Sequence, residues 1–457
     1  FDRMSDKFRK DLTKGSVTKN LIKFAMPFLL SNILQALYSV VDMIVVGQFC
    51  GKAGITGVSI GGQVNILITG AAGGLAISGT ILVAQYLGAK KYDDQKKTIG
   101  TMSTLYLVLS IVITVLMLLV GKPLLILLKT PESAFSETLS YLNICMAGTV
   151  FMFGYNAVCA VLRGLGDSKR PLYFVMIAAL INVVLDVVLV GKFKMGASGA
   201  AYATIFAQAI SFVLSVVYLS KTGFFKGYTA KDFKIEKQKA VLLFKIGLPS
   251  AIQSLVISLS FMTLTALVNS LPNAEVAAAC QGIGGKINSF AILPGLAFSN
   301  AISSMAGQNI GAGEFERARK TMRVGLVLAF VFSVAVMVVV EAFPEILFRV
   351  FTDDVEVIET GIPYLRLIAI DYLFTAFLFS FNGLAIAAGD TSFALFNSFF
   401  NSIIIRVPFA YATVYWFNMG FNGVGLAIGC ASVFSVFIGL WYVRSEKWKK
   451  SKVILED

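Results

Sequence analysis

Long apolar runs separated by short polar stretches recur from one end of the chain to the other. Twelve such segments lie near residues 20–47, 57–85, 98–120, 138–162, 171–191, 197–220, 240–269, 276–308, 321–342, 361–387, 392–416 and 421–443. Each reaches the roughly 18–20 residues that a helix needs to cross a hydrocarbon core of about 30 Å. The pattern predicts an all-α polytopic membrane protein with twelve transmembrane helices. The longest connection, Lys221 to Lys239, is charged and has KGYTAKDFKIEKQK at its centre. It divides the chain into an N-terminal six-helix bundle at 14–222, a cytoplasmic linker at 223–239 and a C-terminal six-helix bundle at 240–445.

The two halves repeat one another. VAQYLGAKKYDDQKKT at 83–98 matches MAGQNIGAGEFERARKT at 305–321, with Gln85 on Gln308, Gly88 on Gly311 and Lys97-Thr98 on Lys320-Thr321, all at an offset of 223. The same offset places Gly62 on Gly285, Asn65 on Asn288, Tyr141 on Tyr364 and Gly166-Asp167 on Gly389-Asp390. Pro27 and Pro249 align at 222. Six helices per half is an even number, so both halves enter the membrane in the same sense. That predicts two bundles related by a pseudo-twofold along the membrane normal, around a central cavity.

Charge sets the orientation. Counting helix-end cations with their loops, the N-terminal tail, the loops after even-numbered segments and the C-terminal tail hold 29 Lys and Arg, against 6 in the loops after odd-numbered segments. A positive-inside bias of this size puts both termini in the cytoplasm. The net charge of +13 is thus a topology signal and a contact for anionic membrane lipid, and no nucleic-acid partner is expected.

Composition narrows the chemistry. Charged residues make up only 14% of the chain and hydrophobic ones 57%. The absence of histidine removes His-based triads, His-ligated haem and most zinc sites. Cys50, Cys145, Cys159, Cys280 and Cys430 are scattered, with no CxxC, and are expected as small core residues. No enzyme activity and no cofactor are expected. No cleavable signal peptide is expected ahead of the first segment, which follows Phe1-Asp2-Arg3-Met4 and the rest of a basic tail.

The repeat breaks at the carboxylates. Asp42 in segment 1 aligns with Leu264 or Thr265, Asp186 in segment 5 with Phe409, and Asn182 with Ile405. The second half therefore keeps the architecture without these groups, and the fold does not need them. A carboxylate near the bilayer interior costs about 2.5–3.5 kcal/mol on insertion scales, which marks it as functional. At about 1.5 Å rise per residue, Asp42 and Asp186 both lie roughly 8 Å below the outer ends of their helices and Thr204 roughly 10 Å below its own. Asn182 and Asp186 are i and i+4 and share a helix face. Such oxygen ligands at Asp42, Asn182, Asp186 and Thr204 suit a proton or a hard cation such as Na⁺, and the residues do not choose between H⁺ and Na⁺. The plainer alternative is that both carboxylates reach the outer interface and are merely solvated.

Other charges stand inside the second half: Lys286, Asp371 and Arg406, with Gln63 the first-half counterpart of Lys286. They either pair with one another structurally or line the cavity. Pro27 and Pro249 would bend segments 1 and 7, with Pro27 a candidate hinge. GLGDS at 164–168 and AAGDT at 387–391 are expected as structural turns with a helix cap.

VDMIVVGQ at 41–48 downstream of Pro27, VAQYLGAK at 83–90, LRGLGDSKRP at 162–171, NVVLD at 182–186, MGASGAA at 195–201, GQNIGAG at 307–313 and FTDD at 351–354 together resemble the multidrug and toxic compound extrusion (MATE) family, and within it the DinF-like branch. The resemblance covers about 14–445. It implies an antiporter in the plasma (inner) membrane that exports small organic compounds, often cationic and amphipathic, in exchange for H⁺ or Na⁺. Family cation-site positions fall on Asp42, Asn182, Asp186 and Thr204, and an Asn of helix 4 on Asn156. A second-half site used in another branch is not matched, since segment 7 offers only Gln253 and Asp371 lies too early. In similar proteins the first helix bends at its proline, which favours the hinge role of Pro27. A monomer is expected. The alternative function is a flippase for a lipid-linked precursor, which would call for a basic cavity.

Overall fold

The computed structural model describes residues 9–127, 130–450 and 453, with the backbone alone at 43, 51–53 and 55. Residues 1–8, and with them the expectation about a leader, lie outside the described residues, as do Arg3, Lys7, Lys129 and Lys452 of the cation count. Among the described residues the regular structure is entirely helical. Eleven helices are long and apolar enough to cross a membrane, and a twelfth span is the pair Glu132–Ala147 and Thr149–Gly164, bent by 47° at Gly148. These spans coincide one for one with the twelve apolar segments, and the chain is an integral membrane protein.

In the first half, α1 is Val17–Phe49, α2 Gly51–Gly88, α3 Tyr92–Leu127, α4 Glu132–Ala147, α5 Thr149–Gly164, α6 Lys169–Asp186 and α7 Gly196–Lys221. The second half has α8 Lys237–Asn269, α9 Ala274–Ala291, α10 Leu293–Gly311, α11 Phe315–Ala342, the short α12 Pro344–Arg349, α13 Val355–Ala387, α14 Thr391–Phe399, α15 Val407–Tyr411 and α16 Gly420–Arg444. Pro27 and Pro249 lie inside the unbroken α1 and α8. Leu107, Ile111, Val115 and Leu119 on α3, and Val327, Val331 and Val338 on α11, are exposed apolar side chains at helical spacing. Such faces suit acyl chains, not water.

The chain packs as two compact units, one of residues 1–11 and 30–251 and the other of 12–29 and 252–457. Both divisions within helices fall two residues past a proline, in α1 after Leu29 and in α8 after Ala251. In the first unit α2 packs on α4 and α5, and α7 on α4, α5 and α6. In the second, α13 is central and packs on α10, α11 and α16. Small residues allow this closeness. At Gly429 on α16, a Cβ would meet the Leu367 carbonyl oxygen of α13 at 2.1 Å.

The linker is docked on the first unit. Thr229 and Asp232 form a capping box around the 3₁₀ turn Ala230–Phe233. The Thr104 hydroxyl donates to the Phe233 carbonyl at 2.6 Å, and the Lys96 ammonium meets Asp232 at 2.8 Å. Both expected turns form, with Gly166 and Gly389 at φ of 83° and 78° in the left-handed region, but the expected caps do not, since neither Ser168 nor Asp390 makes a side-chain cap bond at the N-cap of the helix that follows. The Asp167 carboxylate accepts the Lys169 N–H at 3.1 Å and pairs with Lys10 and Arg170.

Candidate functional site

α1 carries Asp42 one turn beyond Tyr38, and α6 carries Asn182 and Asp186 in its last turn. Asp186 is fully buried, Asn182 nearly so and Asp42 half-buried. The fold brings the Asp42 and Asp186 carboxyls side by side, close enough for one proton between them to complete a hydrogen bond. Otherwise both Asp186 oxygens, Asp42 Oδ1 and Asn182 Oδ1 meet no hydrogen-bond donor among the described residues. Buried acceptors without donors are costly, and adjoining carboxylates repel. Such a cage of oxygen acceptors offers the ligand type that a proton or a hard cation takes. Acidic side chains pointing out toward lipid are therefore excluded, and so is simple solvation of Asp186.

Local backbone shape contributes. Directly after Asp186 the helix widens into a π-helical turn, Val187–Lys192. The Phe193 N–H bonds back to the Val188 carbonyl at 2.9 Å and the Met195 N–H to that of Leu189 at 3.0 Å. Wider turns of this kind recur at functional sites because they re-aim side chains. Nothing in the residue pattern signals the π turn.

Around the pair the structure adds residues that the sequence reading missed. Tyr38 on α1 lies within electrostatic range of Asp42, Tyr141 on α4 of both carboxyls, and Cys145 on α4 of Asp42. One signal was available, since Tyr141 is a repeat-matched residue. Thr204 is half-buried on α7, which packs on α6. Asn156 is half-buried on α5, and its amide donates to the Met152 carbonyl of its own helix at 2.9 Å. Neither makes a direct bond to the carboxyl pair among the described residues. Gln63 is exposed on α2. No group of three or more His, Cys, Asp or Glu side chains is placed to hold a metal ion among the described residues.

The second unit buries its charges elsewhere. Asp371 on α13 and Arg406, at the end of the π turn Phe400–Arg406, are each 6% exposed. They lie within electrostatic range of one another, yet no ion pair joins them. Asp371 accepts the Thr375 hydroxyl at 2.8 Å, and the Arg406 guanidinium lies 5.0 Å from the centre of the Phe261 ring. Lys286 is exposed and lines a cavity.

Known proteins match along the whole chain. The MatE family model matches residues 27–188 and 249–412, two stretches that begin at the two helix prolines. The probable multidrug resistance protein YpnP of Bacillus subtilis (strain 168) is 31% identical over 452 residues, covering 98% of this chain and 99% of that protein. The probable multidrug resistance protein NorM of Thermotoga maritima is 27% identical over 446 residues, 96% of this chain and 95% of that one. Among solved structures, an outward-facing multidrug resistance MATE family transporter of the MOP superfamily superposes with a TM-score of 0.91 at 23% identity, covering 98% and 99% of the two chains.

Proposed function

The chain belongs to the MatE family, and from that premise we propose that it is a secondary active multidrug exporter driven by H⁺ or Na⁺. Family membership makes it a transporter and not an enzyme, and its relatives carry the multidrug resistance name. The relatives named above do not support the flippase alternative.

The observation that carries the coupling proposal is the pair of adjoining carboxyls, Asp42 and Asp186, with their donor-less oxygens. In this reading the cage takes a proton or Na⁺ from the outer side, with Asn182 as a further oxygen ligand and Thr204 and Asn156 as outlying members of the site. A loaded cage carries one negative charge fewer than an empty one, so the two forms favour different arrangements of α1 and α6. That differential interaction is what an ion needs in order to bias alternating access. One charge moved through 100 mV supplies about 2.3 kcal/mol, enough for appreciable uphill export of an organic solute. Pro27 removes one backbone donor from α1 and loosens the ladder at Lys23, which supports a hinge there. The cation bias supports a plasma membrane placement with cytoplasmic termini, and the 223-residue offset supports two six-helix repeats. Small organic molecules and membrane lipid are the partners of this reading, with the monomer as the working unit.

The test is dye efflux from proteoliposomes under an imposed pH gradient or an imposed Na⁺ gradient, one at a time. The gradient that drives wild-type efflux names the ion. Asp42→Asn and Asp186→Asn, reconstituted at equal density, should lose gradient-driven efflux. If both pump as well as wild type, the coupling assignment is wrong.

A further inference from the structure

Where the first unit buries adjoining carboxyls, a cavity in the second unit has a cation in its wall. A cavity of about 350 Å³ is lined by Phe261, Gln281, Lys286, Asn288, Ser289 and Tyr364 among others, with no acidic side chain in its wall. Lys286 makes no ion pair among the described residues, so its ammonium brings a positive charge to the cavity wall. Behind the aromatic wall lies a second cation, because Arg406 packs over the Phe261 ring and lies within electrostatic range of Tyr364. Arg406 is 6% exposed, and its Nε and Nη1 donors meet no acceptor. Asp371 offsets the Arg406 charge at a distance, which leaves Lys286 uncompensated.

The repeat argues that these cations are not scaffold. At the 223 offset Lys286 stands on Gln63 and Arg406 on Val183, both uncharged. One half therefore keeps two carboxylates that the fold does not need, and the other keeps two cations that it does not need. Phe261 gives the wall an aromatic face, and the buried Tyr364 backs the wall by stacking on Phe421 at 4.2 Å between ring centres. Ammonium and amide donors beside aromatic rings recognise a flat organic body bearing an anionic group.

We propose that this second-unit cavity is a subsite for the carboxylate of aromatic organic anions and zwitterions, with Lys286 as its direct contact and Arg406 as a supporting charge. The proposal deepens the exporter reading and rests on it, by naming a substrate class that a purely cation-selective pump would reject.

The test measures binding without any ion gradient, so it is independent of coupling. Protein in phosphatidylcholine nanodiscs is titrated into two fluorescent probes, a rhodamine with a free carboxylate and its methyl ester, and polarisation is read. Lys286→Gln, which copies the first-half residue, should weaken the free-acid dye by about tenfold, as expected for loss of one charge-assisted contact, and leave the ester within about twofold. Lys286→Arg should restore the free-acid affinity. Equal loss for both dyes, or none for the acid, overturns the proposal even if the Asp42 and Asp186 variants still abolish efflux. Failure of the exporter reading would instead show as intact acid selectivity with no gradient-driven efflux. In discs doped with phosphatidylglycerol the acid selectivity should persist; its loss in those discs alone would assign the site to a lipid headgroup and also overturn the proposal.

Discussion

The Asp42 carboxyl on α1 adjoins the Asp186 carboxyl on α6, and among the described residues no other donor reaches Asp42 Oδ1 or either Asp186 oxygen. An arrangement selected for stability alone would not keep it, because burying like charges without partners is destabilising. Replacing Asp186 with its neutral isostere should therefore relieve repulsion. Asp186→Asn is expected to raise the thermal midpoint in detergent at neutral pH by about 1–4 °C, or leave it unchanged, while gradient-driven efflux is lost. A fall of several degrees alongside the lost efflux would mean that Asp186 is a scaffold residue and not a coupling group.

The spans and this pair were legible in the sequence for a simple reason. Apolar runs long enough to cross a bilayer are unambiguous, and a duplicated chain supplies its own control: Leu264 or Thr265, and Phe409, show what the fold accepts where Asp42 and Asp186 stand. What surrounds the pair was not legible. Tyr38 could have been found as the i−4 neighbour of Asp42, but Cys145 reaches Asp42 only through packing of α4, which no local pattern encodes. The π turn after Asp186 and the bend at Gly148 are likewise backbone adjustments set by neighbouring helices. The linker looked like a plain charged connection, yet threonine hydroxyls of α3 hold its carbonyls. Hydroxyl-to-carbonyl contacts between remote segments leave no spacing to read.

That docking has a close-contact point. A Cβ on Gly100 of α3 would meet the Asp232 carbonyl oxygen at 1.8 Å, and the obstacle is backbone, which cannot rotate away. Gly100→Ala should push the linker off α3 without disturbing the apolar cores. Limited trypsin digestion is expected to cut at Lys231 or Lys234 at least about tenfold faster than in wild type, as local opening exposes the backbone. Ser or Ala at Gly62, where a Cβ would meet nothing within 4 Å, is the control and should leave the linker protected.

The same linker has a defined acid limit. Asp232 is held at a pKa of about 2, below the usual carboxylate range, chiefly by the Lys96 ammonium and next by the Thr229 N–H and hydroxyl. Its folded pKa is lower than its unfolded one of about 3.9, so its contribution to docking is complete above about pH 4 and is lost as pH falls through about 2. Hydrogen exchange of the linker amides, normalised to the helix cores, should show protection in wild type that persists at pH 3 and fades toward pH 2. Asp232→Asn should be less protected at neutral pH and show no such acid step. An acid step centred near pH 4 in wild type would mean that the Lys96 contact is not made in solution.

At the start of α8, Lys239 is only 2% exposed, and its ammonium donates to the Tyr86 hydroxyl at 2.8 Å and meets Asp94 at 3.2 Å. A buried cation is tolerated only when such partners replace its water. α2, α3 and α8 are thereby tied at one point within the first unit, on the part of α8 that precedes Ala251. Lys239→Met keeps most of the apolar stem but removes the charge, and is expected to destabilise by about 1–3 kcal/mol. Asp94→Asn alone should cost less, because Asp94 retains partial access to water. In a double-mutant cycle the two changes should fall short of additivity by about 0.5–1.5 kcal/mol, since the second removes a partner that the first has already lost. Strict additivity in thermal or denaturant unfolding would show that the pair is only adjacent, and that Tyr86 alone anchors the ammonium.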